Sequence, residues 1–121
     1  MNLTIPRRPE ALADARARLR AWLADCGLQH KDAEEFLHAV GEACVNAILH
    51  APAQSAAPVD VAGVCPDGQV EVRVTNEGGW RQKGEHSGGG YGLPIMEGLT
   101  DELKIDKQPQ ATTIILRRRI A

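Results

Sequence analysis

The chain has 121 residues, 43% of them hydrophobic and 25% charged, with a formal net charge of -2. That length suits one domain, here residues 1–121, and the near-neutral balance excludes the basic excess of a typical nucleic-acid binder. Aromatic residues make up 3%, too few for the stacking platforms that bind single strands, and no apolar run nears the roughly 20 residues of a membrane span.

Residues 2–5 read as a short strand, and Pro6 and Pro9 lead into a helix. Leu12, Ala15, Leu19, Trp22, Leu23 and Cys26 recur at helical steps, with Gly27 placed as the stop. Arg16, Arg18 and Arg20 lie on the other face and read as solvated. A second helix is predicted from Lys31-Asp32 to about His50, with Asp32 and Glu35 resembling a capping box. Pro52 to Pro58 ends it. Val59–Val64 and Val70–Val74 alternate as strands around the turn residues Pro66-Asp67-Gly68, so they read as a hairpin. Residues 76–92 have no periodicity and hold seven of the twelve glycines. A short helix over Leu93–Leu99, with Pro94 in its first turn, precedes two closing strands at 102–105 and 112–116. Strands joined by tight turns predict an α+β fold, a mainly antiparallel sheet with helices on one face.

The N-terminus lacks the apolar core of a secretory signal, which points to the cytoplasm. Cys26, Cys44 and Cys65 are odd in number and show no C-x-x-C spacing, so reduced thiols in or near the core are expected.

Two features carry chemistry. His38, Glu42, Asn46 and His50 stand four apart and form one polar stripe on the second helix, flanking the apolar Phe36, Leu37, Val40, Ala43, Cys44, Ala47 and Ile48. The stripe suits a solvated helix face. It also suits a metal pair lacking a third ligand, or a site where Glu42 is a base and Asn46 an oxygen ligand to Mg²⁺. The last reading needs a phosphate-binding partner. Ser87-Gly88-Gly89-Gly90-Tyr91-Gly92-Leu93 offers one, because glycines let successive N–H groups face an anion ahead of a helix. The run is neither a Walker A sequence nor a Rossmann fingerprint, and a surface loop is the alternative.

In this order the two features resemble a known family. Glu42-Ala43-Cys44-Val45-Asn46-Ala47-Ile48-Leu49-His50 resembles the N-box of the GHKL, or histidine kinase-like, ATPases. Val74-Thr75-Asn76-Glu77-Gly78-Gly79-Trp80-Arg81 resembles their G1 region, and Gly90-Tyr91-Gly92-Leu93-Pro94-Ile95-Met96 their G2 region. The nearest resemblance is to the small anti-sigma-factor serine kinases of bacterial partner-switching systems, and it spans Leu3 to Arg119.

That resemblance implies a two-layer α/β sandwich of Bergerat type that binds ATP and Mg²⁺. By position it implies Glu42 as general base and Asn46 as the Mg²⁺ ligand. Gly78 would approach adenine, and Gly88, Gly89, Gly90, Tyr91, Gly92 and Leu93 would form the phosphate lid. Thr112 would support the base through its hydroxyl. Asn76 stands where the family usually has Asp, which weakens the charge-assisted bond to the adenine amine without abolishing recognition. Trp80 and Arg81 replace a glycine. The implied partners are a STAS-domain anti-anti-sigma protein, a sigma factor and a second copy of the chain. A non-catalytic regulator-binding module and the ATP domain of a sensor kinase are the alternatives.

Overall fold

A computed structural model describes residues 1–49, 57–77 and 92–120. The elements run in the expected order: β1 (Asn2–Ile5), α1 (Ala11–Asp25), α2 (His30–Leu49), β2 (Val59–Val64), β3 (Gln69–Glu77), α3 (Gly92–Gly98), β4 (Glu102–Lys107) and β5 (Ala111–Arg119). The five strands form one antiparallel sheet in the order β1-β2-β3-β5-β4. β3 pairs with β5 along nine residues, from Gln69 opposite Arg119 to Glu77 opposite Ala111.

Strand parity decides what the helices cover. Val59 and Val61, then Val70, Val72 and Val74, then Ile114 and Leu116 are all buried, and alternate residues face away. α2 meets this face with Phe36, Leu37, Val40, Ala43, Cys44 and Ala47, all buried as the periodicity predicts. α1 adds Ala15, Leu19 and Leu23. It also approaches β2 closely, since a Cβ on Gly63 would fall 2.6 Å from the Trp22 ring.

Two turns follow directly from their residues. Gly27 takes φ +95°, Leu28 N–H donates to the Leu23 carbonyl (3.3 Å) and Gly27 N–H to Ala24 (3.0 Å), a Schellman end to α1. Asp67 and Gly68 both have positive φ (47° and 78°), and Gln69 N–H donates to the Pro66 carbonyl at 3.1 Å. That is a type I′ turn, whose twist suits a right-twisted hairpin.

Three expectations are corrected. Cys26 and Cys65 are not reduced thiols but a disulfide, joining the end of α1 to the β2–β3 turn with Cα atoms 6.3 Å apart. Cys44 alone is free, and burial pushes its thiol up to about 12, so it is inert packing. Asp32 and Glu35 do not form a capping box, because α2 already begins at His30 and both carboxylates accept from Arg118 instead. Nor is Arg20 merely solvated. It bonds Glu34 through two nitrogens, at 2.8 and 3.2 Å, and ties α1 to α2.

Candidate functional site

The ends of α2 are pinned to opposite ends of the sheet. Near its start, Arg118, the next-to-last residue of β5, holds Asp32 (2.9 Å) and Glu35 (2.8 Å). Near its end, Arg7 donates to the Ala47 carbonyl at 2.8 Å and also to the Ala57 carbonyl. Arg7 follows β1, whose Ile5 pairs with Val59. The next strand over, β3, ends at Asn76 and Glu77, and β5 begins at Ala111 and Thr112. From Asp32 to Asn46 the helix rises roughly 20 Å, and from Arg118 to Thr112 the strand runs a similar length. The C-terminal half of α2 therefore lies toward the sheet end that carries Asn76 and Thr112.

Glu42 and Asn46 stand one helical turn apart in that half. Both are half-buried, on the flank beside fully buried Ala39 and Ala43. Among the described residues, Glu42 has one ion-pair contact, His38 Nε2 at 3.7 Å, beyond hydrogen-bond length. The His38 side chain is 59% exposed against 29% for Glu42, so the histidine lies outward and the carboxylate lies nearer the helix–sheet interface. A carboxylate with free lone pairs can accept a proton from a hydroxyl, and an amide oxygen one turn away is a hard donor of the kind Mg²⁺ prefers. Among the described residues, no three His, Cys, Asp or Glu side chains gather as a metal cluster.

Asn76 and Thr112 are direct cross-strand partners. Strand parity turns both toward the helix layer, in line with Val74 and Ile114, and Thr112 is buried (2% exposed). Among the described residues, the Asn76 amide makes a long local bond, Nδ2 to the Glu77 carbonyl at 3.4 Å. A half-buried amide beside a buried threonine hydroxyl provides donors and acceptors for a planar heterocycle.

Gly92 opens α3, and Leu93 packs at the edge of the core. The rest of the expected lid, Gly88, Gly89, Gly90 and Tyr91, lies outside the described residues, as do Gly78, His50, Trp80 and Arg81. Met96 is α3's fully buried residue and seats the helix in the core. Arg118, at the far end of β5 from Thr112, is the bracing residue that the motifs do not contain. Parity from Thr112, Ile114 and Leu116 turns it inward, and an inward arginine needs acceptors.

The sequence profile of the histidine kinase-like ATPase domain matches residues 5–118. A serine-protein kinase RsbW of Bacillus licheniformis is 33% identical, over 87% of this chain and 76% of that protein. An anti-sigma F factor of Heyndrickxia coagulans is 29% identical, over 100% of this chain and 92% of that protein. Among solved structures, the RsbU and RsbW domains of a Mycobacterium tuberculosis protein match with a TM-score of 0.81 and 30% identity. That match covers 99% of this chain but only 31% of the longer one.

Proposed function

The chain belongs to the histidine kinase-like ATPase family, and from that premise we propose that it is an ATP-dependent protein-serine kinase and anti-sigma factor. The observation that carries the reading is the pairing of Glu42 and Asn46 on α2 at the sheet end that carries Asn76 and Thr112. A nucleotide needs both parts, a surface for the base and donors around the phosphates.

The residue roles follow from chemistry. Asn76 accepts the adenine amine and donates to a ring nitrogen, with Gly78 permitting close backbone approach. Thr112 adds a hydroxyl beside Asn76, able to serve base or nucleotide. Gly88, Gly89, Gly90, Tyr91, Gly92 and Leu93 supply backbone N–H groups to the phosphates. When bound, ATP with Mg²⁺ supplies the γ-phosphoryl group and neutralises its charge, and Asn46 is the oxygen ligand on offer. Glu42 takes the proton of a serine hydroxyl as that oxygen attacks phosphorus and the bond to the ADP oxygen breaks. The proton then rests on a Glu42 carboxyl oxygen.

The same reading assigns a STAS-domain anti-anti-sigma protein as substrate and a sigma factor as second partner. It extends to a homodimer, a single domain over residues 1–121 and a cytoplasmic setting. A reducing compartment would leave Cys26 and Cys65 as an adjacent thiol pair. Asn76 supports a second reading, a regulator-binding module with a weakened nucleotide site, since a neutral amide binds adenine less strongly than a carboxylate.

Incubation with ATP, Mg²⁺ and each purified STAS-domain protein of the host separates the two. The kinase reading predicts phosphoserine on one of them, lost in Glu42→Ala. Stable partner binding with no phosphate transfer from the unmodified chain supports the module.

A further inference from the structure

One guanidinium joins three elements. Arg118, on β5, donates through Nη2 to Asp32 Oδ1 (2.9 Å) and Glu35 Oε1 (2.8 Å) on α2, and through Nη1 to the Leu99 carbonyl (3.1 Å) just after α3. Its side chain is 18% exposed. The same corner is stitched elsewhere. Asp101 N–H donates to the Arg117 carbonyl (2.8 Å), Arg119 N–H donates to Asp101 Oδ2 (2.7 Å), and the Thr100 hydroxyl bonds the Met96 carbonyl (2.7 Å).

We infer that Arg118 is a positioning residue for the nucleotide site, setting α3, and with it Gly92 and Leu93, relative to Glu42 and Asn46 on α2. The inference rests on the function proposed above. Its physical basis is the weakness of α3 alone. Seven residues cannot hold a helix in water, so tertiary contacts decide where it lies. Met96 seats the middle of α3 in the core and Leu93 and Leu99 pack at its edge, apolar contacts that carry no fixed direction. The bond at Leu99 is directional and, with the Thr100 and Asp101 bonds, fixes how the end of the helix sits. About 10 Å of helix separates this lock from Gly92, so a small rotation at one end is a displacement at the other. Because the guanidinium also holds α2, both helices are referred to one rigid group. A planar fork can serve three acceptors in fixed directions, which an ammonium cannot do in the same geometry.

Arg117 is the natural control. It pairs with Glu71 (2.7 Å) and Glu102 (2.8 Å) on the face of the sheet turned away from the helices. ATP with Mg²⁺ is titrated into the unmodified chain, Arg118→Lys and Arg117→Lys, with KM for ATP and kcat measured on the phosphorylated partner. Arg118→Lys keeps the charge beside Asp32 and Glu35 but loses the fork. The expected result is an ATP affinity about tenfold weaker, with KM raised and kcat within about twofold, while Arg117→Lys matches the unmodified chain. Unchanged ATP affinity in a folded Arg118→Lys overturns the inference, as does an equal loss in Arg117→Lys. If Arg118→Lys fails to fold, Asp32→Asn with Glu35→Gln is read the same way, and unchanged affinity there overturns it too. Failure of the unmodified chain to bind ATP removes the proposed function instead. Amide exchange across residues 92–98 then decides the inference, which requires faster exchange in Arg118→Lys.

Discussion

In the first turns of α2 each carboxylate is matched. Asp32 and Glu35 share the Arg118 guanidinium, and a hydrogen bond from Arg20 holds the Glu34 carboxyl below its ordinary range. Two turns further on, Glu42 has only a 3.7 Å approach from an exposed histidine among the described residues. Among the described residues, one helix thus carries braced charge at one end and unspent hydrogen-bonding capacity at the other. Paired charges hold elements in place, whereas a half-buried carboxylate with open lone pairs costs stability unless something binds it. The braced end holds the fold together, and the other end carries the residues of the proposed site.

If that division is right, substitutions at the two ends should move different quantities. Glu42→Ala should cut phosphoryl transfer by about 10²- to 10⁴-fold, the usual worth of a positioned base, and leave the melting temperature within about 2 °C. An unfolded Glu42→Ala would place Glu42 on the structural side. Next in size is the disulfide, which braces the α1 end that leads into α2. Its 39-residue separation predicts a loss of about 4 kcal/mol on reduction, or a melting temperature lower by roughly 15 °C. ATP affinity should not follow, and calorimetry in the presence and absence of reductant tests both halves. Arg118→Met should cost about 2–3 kcal/mol in a denaturant melt, because it strands two half-buried carboxylates. Equal stability in that variant would mean the cluster is ornamental.

Smaller effects refine the site. Asn76→Asp should tighten ATP binding by up to about tenfold, since an ionised acceptor roughly doubles the strength of its hydrogen bond. Weaker binding would show that the bond the Asn76 amide donates to the ring nitrogen outweighs the gain from the charge. The smallest effect lies on the outer face of the sheet. The hydrogen bond from Arg117 holds the Glu71 carboxyl below its ordinary range. That pairing adds stability above the unfolded carboxylate value and loses it as pH falls through the lower folded value. Glu71→Gln should therefore flatten the acid limb of a pH–stability curve below about pH 4, by about 1 kcal/mol or less, and leave activity alone.

Local chemistry made most of the fold legible. Alternation placed β2, β3 and β5, the Asp67-Gly68 pair placed the hairpin, and Gly27 ended α1. The stripe of Glu42 and Asn46 was readable because helical period alone sets one residue above the next. What escaped depends on contacts between residues distant in sequence. Asp32 and Glu35 have the spacing of a capping box, yet their partner is Arg118, 86 and 83 residues away. Cys26 finds Cys65 only once the hairpin folds back beside α1. The pairing of Asn76 with Thr112 likewise needs β5 to insert between β3 and β4, which strand patterns alone do not specify. Arg118 was within reach of parity, since it continues the inward series from Thr112, Ile114 and Leu116.

On the proposed function, the C-terminal half of α2, with Glu42 and Asn46, receives a nucleotide. Isothermal titration of ATP with Mg²⁺ into the unmodified chain and into Asn46→Ala tests it most directly. The expected result is saturable one-to-one binding by the unmodified chain, at least about tenfold weaker in Asn46→Ala and dependent on Mg²⁺. No binding by either protein, or equal binding by both, would contradict it.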